Sequence, residues 1–338
     1  MIRRALSVLV AAGCIGSCTR YADFTLPVLP ATAGSVSYEW NVYPEPLLTR
    51  GASGWDSTDA LNPSVAEVGG LLYNFYSGYD GKVWSTGLAT STDGLHWTKK
   101  GRVLAPDPAT WEGDYIAANG SAVHLGNEFL YWYQANRSPR IGLAKSKDGA
   151  AWTKTAQPVL GAGPRGSWDE KAVADPYVVR LGDSFYMYYL GEDRAHRQRL
   201  GVARSADGLT WQKSRANPVL ELGKADAFDE VGLGEPAVWK VENSYWMLYT
   251  GRDRAEVRRL GLARSQDGVH WSRVSESAAL AGGEPWNSKT LCDPTVRVVD
   301  GDVQVWFGGG DVAHPVENVH GQIGFAILKL NVTGTLPK

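Results

Sequence analysis

Cysteine is nearly absent from this chain of 338 residues: it occurs three times, twice within the first eighteen positions. Only Cys292 remains beyond them, which excludes an internal disulfide framework. Methionine is as scarce, also three. Charge of one sign is missing too, since 34 Lys and Arg oppose 36 Asp and Glu for a formal net charge of −2. No basic field invites nucleic acid. No stretch after the N-terminus is long and apolar enough to span a bilayer. No residue pattern reads as a metal cage, a P-loop, a dinucleotide fingerprint or a Ser-centred elbow. No cofactor is therefore expected, and a structural Ca²⁺ in a channel is conceivable but not indicated. Glycine (39) and tryptophan (14) are abundant. Together they point to many short strands joined by tight turns.

The N-terminus reads as a targeting segment. Arg3 and Arg4 precede an apolar stretch at residues 5–13 that is too short for a transmembrane helix. Ile15-Gly16-Ser17-Cys18 then resembles a bacterial lipobox, with Ala11-Ala12-Gly13-Cys14 as a poorer second candidate. The resemblance implies a lipoprotein signal peptide over 1–18 and lipidation of Cys18. It also implies a lipid-anchored location in the cell envelope, periplasmic or at the cell surface. A plain secretory signal is the alternative. Residues 19–50 are expected as tether and lead-in, and 51–332 as a single domain.

Four copies of Ser-x-Asp-Gly-x-x-Trp organise that domain: STDGLHW (91–97), SKDGAAW (146–152), SADGLTW (205–211) and SQDGVHW (265–271). A spacing of this size signals a repeat architecture. A short apolar strand precedes each Asp-Gly, an aromatic strand precedes that, and a segment with Pro or Gly comes first. A fifth unit keeps this plan in DPTVRVV, VQVWFGGG and QIGFAIL but lacks the Asp-Gly-Trp signature and stops one strand short. Each Asp-Gly is read as a two-residue hairpin turn, with the Ser bonding the turn and the Trp packing on the neighbouring unit. Four-stranded antiparallel sheets of this kind bury their faces by stacking around an axis. The expected fold is all-β: a five-bladed β-propeller with blades near 58–110, 115–165, 171–225, 231–283 and 289–330. A pair of β-sandwiches would leave the period unexplained. The repeated motif is structural in this reading. Trp55, Trp111, Trp168 and Trp286 each stand before a blade's first strand and are structural as well.

In a propeller the first strands line the axis, so the residues that open them converge. They are Asn62, Asn119, Asp175, Glu235 and Asp293, all polar and three of them acids. Crowded carboxyls push each other's pKa values apart, which yields an acid and a base from one residue type. Two carboxyls across a sugar ring are the machinery of glycosidic bond cleavage. Around the same mouth the loops between second and third strands bring Arg137, Arg194 and Arg254. These suit an anionic or heavily hydroxylated substrate, or else pair with Glu192, Asp193 and Asp253 beside them. His314 and His320 lie in the fifth unit's equivalent loop, and His314 is a candidate sugar contact.

Over residues 50–330 the plan, with DPYVV and GEPAVW, resembles the five-bladed β-propeller glycoside hydrolases of families 43, 32, 62, 68 and 130. The resemblance implies a glycoside hydrolase, arabinofuranosidase-, arabinanase- or fructosidase-like. It makes Glu235 the general acid and Asp175 the blade-three Asp that tunes pKa or holds the sugar. Blade one departs from it, because Asn62 stands where the family has Asp and an amide is neither base nor nucleophile. Asp293 is the favoured substitute, and Asp56 or Asp59 could reach in. The other readings are a non-catalytic surface carbohydrate-binding propeller, favoured by Asn62, and a glycoside phosphorylase, favoured by the arginines. The expected partner is a carbohydrate, with the membrane touched only through lipid, and a monomer is expected.

Overall fold

A computed structural model describes residues 20–30 and 35–333. The expected signal peptide and the lipidated Cys18 lie outside these residues. Among the described residues every regular element is a strand except one 3₁₀ turn, Pro285–Asn287, so the fold is all-β. The strands form two nine-stranded sheets and one four-stranded sheet, none closed on itself. Each nine-stranded sheet is a pair of antiparallel units joined by a short parallel bridge, at Trp84↔Ile116 in one and Gln198↔Gly232 in the other.

The units follow the sequence repeat. The first contains Asp59–Leu61 with Val65–Val68, then Leu71–Tyr79, Trp84–Ser91 and Thr98–Leu104. The second contains Ile116–Leu125, Glu128–Ala135, Arg140–Ser146 and Thr153–Lys154. The third contains Ala172–Leu181, Ser184–Glu192, Gln198–Ser205 and Gln212–Ser214, and the fourth Gly232–Val241, Ser244–Arg252, Arg258–Ser265 and Ser272–Arg273. The last contains Thr290–Val299, Asp302–Gly310 and Gln322–Thr333. The first strands pack on one another in succession, and Thr290–Val299 packs on Val65–Val68.

The strand missing from the last unit comes from upstream. Ser35–Val42 pairs antiparallel with Gln322–Thr333, from Ser35↔Thr333 to Val42↔Ala326. Val36, Tyr38, Trp40 and Val42 alternate with exposed residues and pack on the core, a period of two that suits a half-buried strand. Residues 20–30 are also docked. Tyr21–Ala22 pairs in parallel with Gln212–Ser214, and Leu26 is fully buried against Tyr188 and Tyr245 of the third and fourth units. The described part of 19–50, expected as tether and lead-in, is thus packed on the sheets.

The Ser-x-Asp-Gly-x-x-Trp segments are longer loops than the expected two-residue turns, since strands stop at Ser91 and resume at Thr98, and likewise in the other copies. Only the Gly takes a left-handed φ, 78° at Gly94 and 73° at Gly208. The Asp instead works through its carboxylate. Asp93 Oδ1 accepts from the amides of Leu95 and His96, while Ser91 Oγ accepts from Asp93 and Gly94. The Gly carbonyl then joins units: Gly94 accepts from Trp97 and from Trp306 of the last unit, Gly208 from Trp211 and from Trp132 of the second. A Cβ on Gly208 would stand 2.8 Å from the Trp132 ring, so glycine is required by contact as well as by φ.

A second repeated device pins the outer strand of the first four units. Trp55, Trp111 and Trp168 are each followed by an acid, and Phe228 takes the tryptophan's place in the fourth unit. The four acids meet a tyrosine from the second strand and a cation from the fourth. The sets are Asp56 with Tyr76 and Lys99, Glu112 with Tyr133 and Lys154, Asp169 with Tyr189 and Lys213, and Asp229 with Tyr249 and Arg273. All four acids are buried, so each depends on its partners for the loss of water.

Candidate functional site

Asn62, Asn119, Asp175, Glu235 and Asp293 converge, as the repeat requires. They line one cavity of about 460 Å³ together with Leu61, Ile116, Leu190 and Leu233. They also line a smaller cavity beneath it, with Pro63, Pro176, Pro236 and Pro294. The ring is therefore a floor between mouth and axis. All five residues share one backbone state, with φ of 48°, 49°, 47°, 46° and 52°. The first strands of the second to last units break register there, between Ala118/Ser121, Ala174/Tyr177, Gly234/Ala237 and Cys292/Thr295. The first unit's strand is interrupted between Leu61 and Val65. A bulge re-aims one side chain at the cost of a local kink. A left-handed non-glycine costs about 1–3 kcal/mol and persists where the surroundings impose it. Five such residues around one cavity concentrate strain where the polar groups meet.

The ring residues are not equivalent. Asp293 has both oxygens engaged: Oδ1 accepts from the Asn62 amide at 2.5 Å, and Oδ2 accepts from the Asn62 backbone N–H and from Cys292 Sγ. Burial, and then the charge of Glu235, push its pKa well above the ordinary carboxylate value. Asp175 is pushed up to about 8, by enclosure first and by Glu235 second, while the Asn119 side chain opposes the shift. Glu235 differs from both, since one of its carboxylate oxygens, Oε2, is buried without a hydrogen-bond partner among the described residues. The upstream acids do not reach in. Asp56 is held by Tyr76 and Lys99, and Asp59 accepts the amides of Asn318 and Gly321.

The rim differs from the sequence expectation. Of the three expected arginines only Arg137 lines the cavity. It lies over the Tyr115 ring and pairs with Asp114 at 3.3 Å. Arg194 and Arg254 lie outside the cavity lining and pair on the surface with Glu170 and Glu230, not with the expected Glu192, Asp193 and Asp253, which pair with Lys171, with Arg197 and Arg199, and with Arg259. His314 does not line this cavity either. Its Nδ1 accepts from the amides of Val316 and Glu317. Besides Arg137, the cations that line the cavity are Arg252, Arg258 and Lys171. Arg252 and Arg258 are a register pair at the ends of adjacent strands, and that position, not the intervening loop, aims them inward. Burial would lower the pKa of Arg258, yet the surrounding acids, Glu235 first, outweigh it and raise the value. Gln134 and Arg252 also line the cavity, and Gln134 Oε1 and Arg252 Nε are buried without partners among the described residues. Unpaired buried groups cost free energy, so with Glu235 they mark places where a ligand's polar atoms fit. The alternation that sets Gln134 and Arg252 inward was present in the sequence, but strand ends could not be fixed there.

Comparison with known proteins bears on the fold. Residues 71–218 match the family model of the glycosyl hydrolases family 32 N-terminal domain. An uncharacterised Mycobacterium tuberculosis protein is 27% identical over 230 residues, 63% of this chain and 75% of that one. A β-1,2-mannobiose phosphorylase of Thermoanaerobacter is 27% identical over 131 residues, 34% of this chain and 42% of that enzyme. Among solved structures, a thermostable family-43 glycoside hydrolase superposes with a TM-score of 0.63 at 18% identity, covering 84% of this chain and 98% of that one. The β-1,2-mannobiose phosphorylase of Listeria innocua superposes with a TM-score of 0.68 at 12% identity, covering 86% and 96%. The resemblance read from the repeats therefore stands: residues 71–218 resemble the family 32 N-terminal domain, and the chain shares the fold of solved glycoside hydrolases.

Proposed function

We propose that the protein is a five-bladed β-propeller enzyme that hydrolyses a glycosidic bond in an oligo- or polysaccharide, with Glu235 and Asp175 as its working carboxyls. The observation that supports this most is the ring itself. Five strained polar residues face one cavity, and among them Glu235 holds a buried carboxylate oxygen, Oε2, with no hydrogen-bond partner among the described residues. The closed succession of first-strand contacts supports the blade count. Near neutrality Asp175, raised to about 8 by enclosure and by Glu235, carries a proton. In the reaction that proton is handed to Glu235, from which it passes to the leaving oxygen as the C–O bond breaks. Asp175, then the charged member, takes a proton from the attacking water as its oxygen adds to the anomeric carbon. One water is consumed and the pair is restored. Asp293, with both oxygens engaged, instead holds Asn62 in place. That gives the blade-one amide a positioning part rather than a chemical one.

The test is Glu235→Gln, assayed on aryl glycosides and on arabinan and fructan oligosaccharides. Turnover is expected to fall by about 10²–10⁴ with binding retained. Undiminished turnover would sink the assignment. A carbohydrate-binding protein without catalysis would bind and release no sugar in either form.

Phosphorolysis is the second reading, favoured by Arg252, Arg258 and Lys171 in the cavity lining and by the lack of a free second carboxylate. A phosphate dianion attacks without a general base. Release of a sugar 1-phosphate, strictly dependent on added phosphate, would select this reading.

We further infer a lipid anchor at Cys18, supported by the lipobox-like sequence. Labelling with a fatty-acid analogue should be lost in Cys18→Ser.

A further inference from the structure

The loop between second and third strands of the last unit, residues 311–321, is the longest of its kind; the equivalents are 80–83, 136–139, 193–197 and 253–257. The long one is tied on both sides of the mouth. Toward the fourth unit, Arg258 donates to the carbonyls of His314 and Pro315, and Arg252 reaches Pro315. Toward the first unit, Asp59 accepts the amides of Asn318 and Gly321. At its centre stands Glu317. Its carboxylate accepts from Tyr79 Oη at 3.2 Å, from Trp84 Nε1 at 3.3 Å and from Tyr115 Oη. Tyr79 and Trp84 stack with ring centroids 4.8 Å apart, so the carboxylate sits on a fixed aromatic base. Three donors from two neighbouring units on one acid of a third is a latch rather than a local turn. Charge-assisted hydrogen bonds of this kind are the strong ones.

Pro315 and Val316 line the cavity, so the latched loop forms one wall of the mouth. A glycan running through the site would have to pass that wall. We infer that Glu317 is a specificity-determining residue: by latching the loop it closes the last-unit side of the mouth, so that the site takes the terminal residue of a glycan and not an internal stretch. This rests on the carbohydrate reading above.

Two measurements test it. The first needs no ligand. Hydrogen exchange at the amides of Val316 to Asn318 should quicken at least tenfold in Glu317→Ala, and unchanged exchange overturns the latch. The second uses Glu235→Gln protein, with and without Glu317→Ala, on a glycan array fixed through reducing ends. The array carries pairs that differ by one added residue at the free terminus. With Glu317 present, binding should drop at least tenfold when the recognised terminus is extended, and Glu317→Ala should recover it. Equal binding to both members of a pair, or no recovery in the variant, overturns the inference alone. Binding to no glycan by either protein overturns the carbohydrate reading and this inference with it. Tyr115→Phe, which removes one donor and leaves the acid, should shift both readouts in the same direction and guards against misfolding of the alanine variant.

Discussion

Asp175 shows how one residue's surroundings decide both stability and chemistry. Its folded-state pKa stands at about 8, raised by enclosure and by Glu235, against about 3.9 for an unfolded Asp. A raised value means the folded state binds the proton more tightly than the unfolded chain does. The stability this contributes is complete below about pH 4 and is lost as pH rises through about 8. Asp175→Asn removes the titration, so urea unfolding should show the variant gaining on the wild type between pH 5 and pH 8. The same loss of the pair's proton gives kcat/KM an alkaline limb near pH 8, which should vanish or move in Asp175→Asn. A variant whose stability tracks the wild type at both pH values would contradict the assignment. The candidate residues themselves were legible, because five polar residues opening five apolar strands break the alternation of a buried sheet. Their inequality was not, since it depends on which oxygen meets which donor across units.

At the scale of the element, the acid–tyrosine–cation sets hold outer strands that are only two or three residues long in the second to fourth units. Strands so short have little ladder of their own. Lys213 and Asp169 are both almost fully buried, at 6% and 0% side-chain exposure. Lys213→Met should cost about 3–5 kcal/mol, the range for stranding one buried charge, measured by denaturant unfolding. Lys99→Met should cost less, because Lys99 is one-third exposed beside Asp56 and water can replace it. Equal losses would mean that packing, not charge, dominates at both places. The repeat exposed the tryptophans of this device but not the acids beside them. Asp, Glu, Asp and Asp recur at that place with Lys, Lys, Lys and Arg far along the chain, and only packing shows that they meet.

For the whole molecule, the last sheet is completed by a strand from the other end of the chain. Trimming the chain to begin at residue 44 would leave Gln322–Thr333 as an open edge and uncover the surface that Tyr38 and Trp40 occupy. Exposed edges invite association. Such a protein should unfold at lower denaturant and aggregate, measured by light scattering beside the full chain. A chain begun at residue 35 keeps this strand and loses only the docked 20–30 segment. It should lose at least the 2–5 kcal/mol of a buried leucine, since Leu26 is fully enclosed. If both trimmed chains match the full one, the upstream residues are not part of the fold.

The sequence alone determined the all-β class, the repeated unit and the convergence of Asn62, Asn119, Asp175, Glu235 and Asp293. These follow from local chemistry repeated at a fixed period: a loop carboxylate capping amides, alternating apolar strands, and a polar residue that opens each first strand. Tertiary structure alone decided what closes the last sheet, which arginines face the cavity, and which ring acid keeps a buried oxygen unpaired. Those are contacts between residues hundreds of positions apart, such as Val36 with Val332, Asn62 with Asp293 and Glu317 with Tyr79. Nothing in the local pattern encodes them, because a side chain's partner is set by how the units stack and not by its neighbours along the chain.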